Sequence, residues 1–445
     1  MMGVSRVNAL KTHQEALMKK FTRNEVTNQR IERITSRHVL VGIDIAKDSH
    51  VAQMTNYRGV VLTARPLSFT NSIEGFEKLL RWIQAEQAKR QLSRLMIGLE
   101  PTGHYWFNLA NWLLERNIEV VLINPVTTHR NKENRDNSPS KNDAKDALTI
   151  ADCISRGFFS EYKPQALVFE RLKTVMSDRE YWSKLSTSLG NRIVRWIDLY
   201  FPEFRRVFPD WTVLRSLASL SVFPLPCDLQ NQTVDEMISG WREQGMSRAG
   251  GASGRAKAAE LLSLAKRSIG NQVALNEARR DLKQLLEEYR RVQAYLDDMQ
   301  KEVEELLQHI PIAEQLRSIP GLGTVVIAAI LGFGGDLRHY AHGRQLLRRA
   351  GLNLAECTSG KYKGQIKLSK RGDSALRKQL FLGILGLIRL NQDFKKWHDH
   401  NLARGMKKMA SLFKLIGKLS RVLIGMVQRG ETYRSEQQNP MVLAV

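Results

Sequence analysis

His38-Val-Leu-Val-Gly-Ile-Asp44 is an apolar, β-branched run that stops on an acid, the pattern of a buried strand with a carboxylate at its end. Reading outward, a second run spans Ser49 to Asn56 and is closed by the turn signal Tyr57-Arg58-Gly59. A third run, Val60 to Ala64, would complete an antiparallel meander. Asn71 to Lys89 carries helical spacing through Ile73, Phe76, Leu79, Leu80 and Ile83. Then come a strand at Leu95 to Leu99, a helix at His104 to Arg116, a strand at Ile118 to Ile123, a polar loop from Thr127 to Ser140 and a helix from about Lys141 to Arg156. A meander followed by alternating helices and strands predicts a mixed sheet with helices on both faces.

That order of elements matches the RNase H-like fold, and the acids fall at telling points in it. Asp44 ends the first strand, and Glu100 ends a later one, just before Pro101-Thr-Gly103. Asp143 and Asp146 stand three apart on one helix, so both face the same side. In this topology the two strands neighbour each other and the helix crosses them. Clustered carboxylates repel unless cations lie between them, and hard oxygen ligands select Mg²⁺, with Mn²⁺ as the alternative. Two such ions hold the attacking and leaving oxygens of a phosphodiester. Each acid also has a plainer reading: Asp44 or Asp143 as a cap, Glu100 as a solvated strand end, Asp146 as a first-turn acid favoured by the helix dipole.

The 445 residues are too many for one ordinary domain. A formal charge of +23 favours a polyanionic partner, and nucleic acid before membrane. No apolar run is long enough for a transmembrane helix, and residues 1–37 form a basic extension without the apolar core of a secretory signal. Three widely spaced cysteines, Cys153, Cys227 and Cys357, argue against a zinc site or a disulfide framework and suit a reducing cytoplasm.

The expected divisions are the extension 1–37, an RNase H-like domain at 38–160, a helical region at 161–312, a small helical C-terminal domain at 313–430 and a tail at 431–445. Within 161–312, apolar residues alternate three and four apart from Leu275 through Ala278, Leu282, Leu285, Tyr289, Val292, Leu296, Met299, Val303 and Leu306 to Ile310. This is a coiled-coil seam at about 271–310, offering self-association or, alternatively, packing within its own chain. Asn271 to Ile310 holds nine acids against six bases, so the positive surplus lies elsewhere.

Much of it lies near the C-terminus, where residues 343–378 hold ten Lys or Arg against two acids. Ile319-Pro-Gly-Leu-Gly323 between two helices looks like a helix-hairpin-helix element, whose Gly321 and Gly323 would let backbone N–H groups approach a DNA phosphate. Ser359 beside Gly360 is accessible and flanked by Lys361, Lys363 and Lys367, cations suited to a phosphate and to an ionised serine oxygen. Lys370, Arg371 and Arg377 extend the patch, which reads equally as a solvated loop on backbone phosphates, and Ser369 is a rival nucleophile.

Taken together, Gly42-Ile-Asp44-Ile-Ala-Lys47, Glu100-Pro-Thr-Gly-His-Tyr105, Lys141-Asn-Asp143-Ala-Lys-Asp146-Ala, Ile319-Pro-Gly-Leu-Gly323, Ala350-Gly-Leu352, Ser359-Gly360 and Ser369-Lys-Arg-Gly372 with Leu376-Arg377 resemble the DEDD transposases of the insertion sequence 110 / 1111 family, recombinases guided by a bridge RNA. The resemblance covers about 38–156 and 313–390. It implies an RNase H-like (RuvC-like) domain, a coiled coil and a small helical transposase domain. It implies an acidic tetrad at Asp44, Glu100, Asp143 and Asp146, and a catalytic serine at Ser359 that attacks DNA to form a phosphoserine link. It further implies donor and target DNA, a noncoding guide RNA, a homo-oligomer (dimer or tetramer) in which the acids of one subunit serve the serine of another, and a bacterial, nucleoid-associated location. Asp373 stands where that family often has Asn. The alternative reading is a metal-dependent nuclease, similar to Holliday-junction resolvases, with water as nucleophile.

Overall fold

The structure is a computed structural model that describes residues 23–134, 137–138, 142–355, 358–359, 362–363 and 367–435. Most of the basic extension, the end of the tail and Lys361 lie outside the described residues. The chain divides into two compact units, 1–164 and 165–445.

In the first unit α1 (Arg23–Arg33) precedes β1 (His38–Asp44), β2 (Ser49–Asn56), β3 (Leu67–Thr70), α2 (Ile73–Arg90), β4 (Arg94–Leu99), α3 (Trp106–Leu114), β5 (Glu119–Leu122), α4 (Pro125–Asn131), α5 (Asp143–Ser155) and β6 (Ser160–Glu161). The sheet order is β3-β2-β1-β4-β5-β6. β1 runs antiparallel to β2 and parallel to β4, and β4 is parallel to β5. It is the expected mixed sheet with helices on both faces, consistent with an RNase H-like domain.

Side chains alternate across β1. Val39, Val41 and Ile43 join Phe76, Leu79 and Ile83 of α2 and Trp106, Leu109 and Leu113 of α3 in one core. Leu40 lies on the opposite face with Met96, Val121 and the α5 residues Ile150, Cys153 and Ile154.

Three local expectations are corrected. Val60 to Ala64 forms no strand: after the turn at Gly59 only Val61 bridges back to Thr55, and the third strand is Leu67–Thr70, paired with the start of β2. Pro66 lies between the two stretches, and it has no N–H to extend a ladder from Val61. The polar loop after β5 opens with α4, for which Asn124 is the cap and Pro125 the first residue. β6, unforeseen, adds a strand antiparallel to β5, and Arg33 ties the end of α1 to this edge through Glu119 at 2.7 Å and Glu161 at 2.6 Å.

The second unit opens with α6 (Leu167–Tyr200), continues through five shorter helices, α7 (Phe204–Val207), α8 (Leu214–Val222), α9 (Pro226–Leu229), α10 (Val234–Glu243) and α11 (Ala252–Ala265), and returns along α12 (Leu275–Gln308). The partner of the heptad seam is α6 of the same chain. Trp196 Nε1 donates to the Ala278 carbonyl at 2.9 Å, Gln293 Nε2 donates to Ser186 Oγ at 2.7 Å, and the Trp182 and Tyr295 rings lie 4.9 Å apart. These pairings fix the two long helices as antiparallel. Leu282, Leu285 and Val292 share a core with Trp196 of α6 and with Phe204 and Trp241 of the shorter helices.

Val303, Leu306 and Leu307 at the far end of α12 instead share a core with the last third of the chain. That third contains α13 (Pro311–Arg317), α14 (Thr324–Gly334), α15 (Gly343–Arg349), the short strands β7 (Leu354–Ala355), β8 (Thr358–Ser359), β9 (Tyr362–Lys363) and β10 (Lys367–Leu368), then α16 (Ser374–Leu390), α17 (Gln392–Ala403) and α18 (Lys408–Arg429). Residues on both sides of position 312 therefore sit in one core.

Placing Lys at both Leu282 and Leu296 is expected to lower folding stability by roughly 3–5 kcal/mol, because Leu282 is buried against its own chain. Denaturant unfolding beside light scattering checks this. A double variant that dissociates with unchanged stability would put the seam between subunits instead.

Candidate acidic site and basic loop

Glycine decides where the acids meet. Gly42 lies on the same face of β1 as Leu40 and Asp44, and a Cβ there would stand 2.0 Å from the Ala147 carbonyl oxygen and 2.5 Å from the Ala151 nitrogen. The backbone of α5 therefore rests directly on β1, which no larger residue permits. Gly98 pairs with Gly42 in the β1–β4 register, and its missing Cβ is matched by Ile154 of α5 and by Ile123. Two residues beyond each glycine, on the same face by strand alternation, stand Asp44 and Glu100. Both acids thus leave the sheet toward the first turn of α5.

That turn carries Asp143 and Asp146, and its cap is neither of them. Asn142 accepts the Lys145 N–H through Oδ1 at 2.7 Å. The plainer reading of Asp143 as a helix cap is therefore replaced by Asn142, and both aspartates are helical residues at the positive end of the dipole.

Burial, and then the charges of Asp146, Asp143 and Glu100 in that order, push the Asp44 carboxyl up to about 6, against an opposing pull from Lys132. All four acids thus share one electrostatic neighbourhood. Among the described residues, no three His, Cys, Asp or Glu side chains stand at the spacing that holds a single metal ion. The donors are nevertheless all carboxylate oxygens, and Asp146 Oδ1 is shut off from solvent with no hydrogen-bond partner. A hard divalent cation fits that chemistry, provided the acids close on it.

Sequence reasoning missed two residues of this site. The Thr128 hydroxyl donates to Glu100 Oε2, and Lys132 Nζ lies 2.8 Å from both oxygens of Asp146, in hydrogen-bond geometry only toward Oδ2. A helix start read at Asn124-Pro125 would have been the clue to both.

The raised Asp44 carboxyl has a pH consequence. The folded state holds this proton more tightly than the unfolded chain does, so its contribution to stability is present at low pH and is lost as pH rises through about 6. Asp44→Asn is therefore expected to melt higher than the parent at pH 7.5 without divalent cations. That advantage should shrink steadily toward pH 4.5, near the unfolded value. Paired thermal melts check it, and a gap independent of pH would show that burial and the neighbouring acids do not raise the Asp44 carboxyl.

In the second unit the basic motifs assemble on their glycines. A Cβ on Gly372 would stand 2.3 Å from the Gly351 nitrogen and 2.4 Å from the Arg349 carbonyl oxygen, so the stretches 350–352 and 369–372 lie backbone to backbone. Lys370 N–H donates to the Gly351 carbonyl and Ser369 N–H to that of Asn353, both at 2.9 Å. β7 pairs with β10 beyond this junction, and β8 with β9, where Ser359 stands opposite Tyr362. Lys363 is in β9, Lys367 in β10, and Lys367, Lys370 and Arg371 are exposed.

Arg377 instead donates through Nη1 to the Ala350 carbonyl at 2.8 Å, bracing this junction. Ser369 donates through Oγ to Asn353 Oδ1 at 2.7 Å, and Asp373 caps α16 by accepting the Leu376 N–H. The 319–323 turn joins α13 to α14. Gly321 (φ +88°) lies against α16, where a Cβ would meet the Gly386 carbonyl oxygen at 2.9 Å, whereas Gly323 opens on empty space at the start of α14.

Comparison with known proteins finds two family models that match in order along the chain. Residues 41–202 match the DEDD transposase model of the IS110 type, and residues 313–399 match the model of the IS116/IS110/IS902 transposase family. The pilin gene-inverting protein of Moraxella lacunata is 29% identical over 141 residues, which are 32% of this chain and 42% of that protein. The match thus spans under half of that relative's length. The mini-circle putative transposase for IS117 of Streptomyces coelicolor is 24% identical over 345 residues, covering 73% of this chain and 78% of the relative. The IS116 44.8 kDa protein of Streptomyces clavuligerus is 24% identical over 355 residues, covering 77% and 84%. With both models matched in order, over more than half of its residues, the chain belongs to the IS116/IS110/IS902 family of transposases.

Proposed function

We propose that this protein cuts and rejoins DNA at the ends of an insertion sequence, with Asp44, Glu100, Asp143 and Asp146 as ligands of Mg²⁺ (or Mn²⁺) and Ser359 as the nucleophile. The observation that carries this reading is the direction of two strand-end acids toward the two acids of α5, imposed by Gly42 and Gly98. Divalent cations held there supply Lewis acidity to a phosphodiester. The chain itself supplies the nucleophile: a bond forms between Ser359 Oγ and phosphorus as one P–O bond of the backbone breaks. The serine gives up a proton, and the leaving deoxyribose oxygen takes one. Attack of a DNA hydroxyl on the phosphoserine reverses these changes, so strands rejoin without an energy source. Gly323, Lys361, Lys363, Lys367, Lys370 and Arg371 would hold the backbone phosphates. A noncoding RNA of the element and a homo-oligomer complete the assembly in this reading.

The test is to express the protein in bacteria beside a plasmid carrying an intact element with its noncoding flanks, and to sequence across joined element ends and emptied donor sites. Both products are expected with the parent chain and neither with Asp44→Asn. Equal product from both chains would overturn the reading.

A further inference from the structure

α4 and the residue that ends it form a second wall of the acidic site. Asn124 and Pro125 start this helix at once after β5, so its side chains reach back over the strand ends. Thr128 is 2% exposed, and its hydroxyl, besides meeting Glu100, stands 2.9 Å from the Pro125 carbonyl oxygen, which leaves it little freedom to turn. One turn on, Lys132 extends to α5 and meets Asp146. A buried hydroxyl in one rotamer fixes the carboxylate it bonds. An ammonium is a point charge on a flexible stem, and a second cation on the same carboxylate can displace it. Lys132 Nζ stands 2.8 Å from Asp146 Oδ1 as well but outside hydrogen-bond geometry, so this oxygen, hidden from water, is met by the ammonium's charge alone. A divalent ion held by Asp146 would lie close to the ammonium, and like charges repel.

We propose that Thr128 and Lys132 are positioning residues of the acidic site: Thr128 fixes the Glu100 carboxylate, and Lys132 holds Asp146 until a divalent cation displaces it. This rests on the reading of the four acids as a cation site. Lys132 then acts as a competitor of the metal, which keeps the acids together before metal and DNA arrive.

The test measures Mn²⁺ binding to the full chain by calorimetry, without nucleic acid, at fixed pH and ionic strength. Lys132→Ala is expected to bind Mn²⁺ roughly fivefold tighter than the parent, the size expected for removing one partly exposed competing charge. Lys132→Arg should stay close to the parent, and Thr128→Val should bind roughly threefold or more weakly, having lost a hydrogen bond to a charged group. In an Asp146→Asn background the alanine should bring no gain. Lys132→Met, which keeps the aliphatic stem, carries the test if the alanine variant unfolds. A merely structural lysine would weaken binding when removed, so unchanged or weaker Mn²⁺ binding in Lys132→Ala and Lys132→Met overturns its role. Unchanged binding in Thr128→Val does the same for Thr128. If Mn²⁺ binding to the parent is absent or survives Asp44→Asn, the cation-site reading itself fails.

Discussion

Asp143→Asn and Asp146→Asn, like Asp44→Asn and Glu100→Gln, are expected to abolish strand cleavage while leaving the chain folded. Each removes one charged oxygen ligand from the proposed site. Losing or misplacing a cation that stabilises transition-state charge costs about 4 kcal/mol, roughly a thousandfold in rate. The fold should survive because the acids work against it. Asp44 is raised by burial and by its three acidic neighbours, so charge is removed from a place where it is costly. Asp143 is an exposed first-turn residue whose helix is capped by Asn142, so its amide should cost little. Asp146 is the exception in degree: its amide weakens the contact with Lys132, and a small loss of melting temperature is expected. Thermal melting beside a cleavage assay separates the two effects. Full cleavage by Asp143→Asn or by Asp146→Asn would remove that residue from the site.

How far this site was legible in the sequence follows from which forces build it. Gly42-Ile-Asp44 and Gly98-Leu-Glu100 share one pattern, a glycine two residues before an acid, and the two glycines pair in neighbouring strands. The acids could therefore be read from strand ends and helical spacing alone. The close approach of α5 to β1 could not, because it depends on which face of the sheet the helix covers. Thr128 and Lys132 were hidden for a related reason: α4 is too short to show a hydrophobic period, and it begins inside what reads as a polar loop.

The heptad of α12 was equally plain, but a seam does not name its partner. α6 was the partner, a helix of the same length lying across five intervening helices in sequence. Its own apolar face, Leu172, Val175, Met176, Leu189, Ile193 and Trp196, is split between two cores. Val60 to Ala64 had strand-forming residues but met Pro66 before it gained a ladder.

Ser359→Ala is expected to bind nucleic acid and divalent cation as the parent does, and to form no covalent complex with DNA. A serine hydroxyl is a weak nucleophile at neutral pH and needs activation. The sequence around Ser359 offers lysines and no histidine. In the proposed mechanism activation therefore comes from an acidic site once protein and DNA have assembled, which restrains cutting by the unassembled protein. Ser369 is the natural control. Its Oγ is engaged by Asn353 within the Gly351–Gly372 junction, a bracing role. Ser369→Ala should thus loosen the loop and retain part of the activity, whereas Ser359→Ala should retain none. A denaturing gel of labelled DNA after reaction in Mg²⁺ distinguishes the cases. A protein-linked band that survives in Ser359→Ala and vanishes in Ser369→Ala would move the nucleophile to Ser369. Cleavage with no linked band in any variant would make water the nucleophile, and the chemistry that of a resolvase-like nuclease.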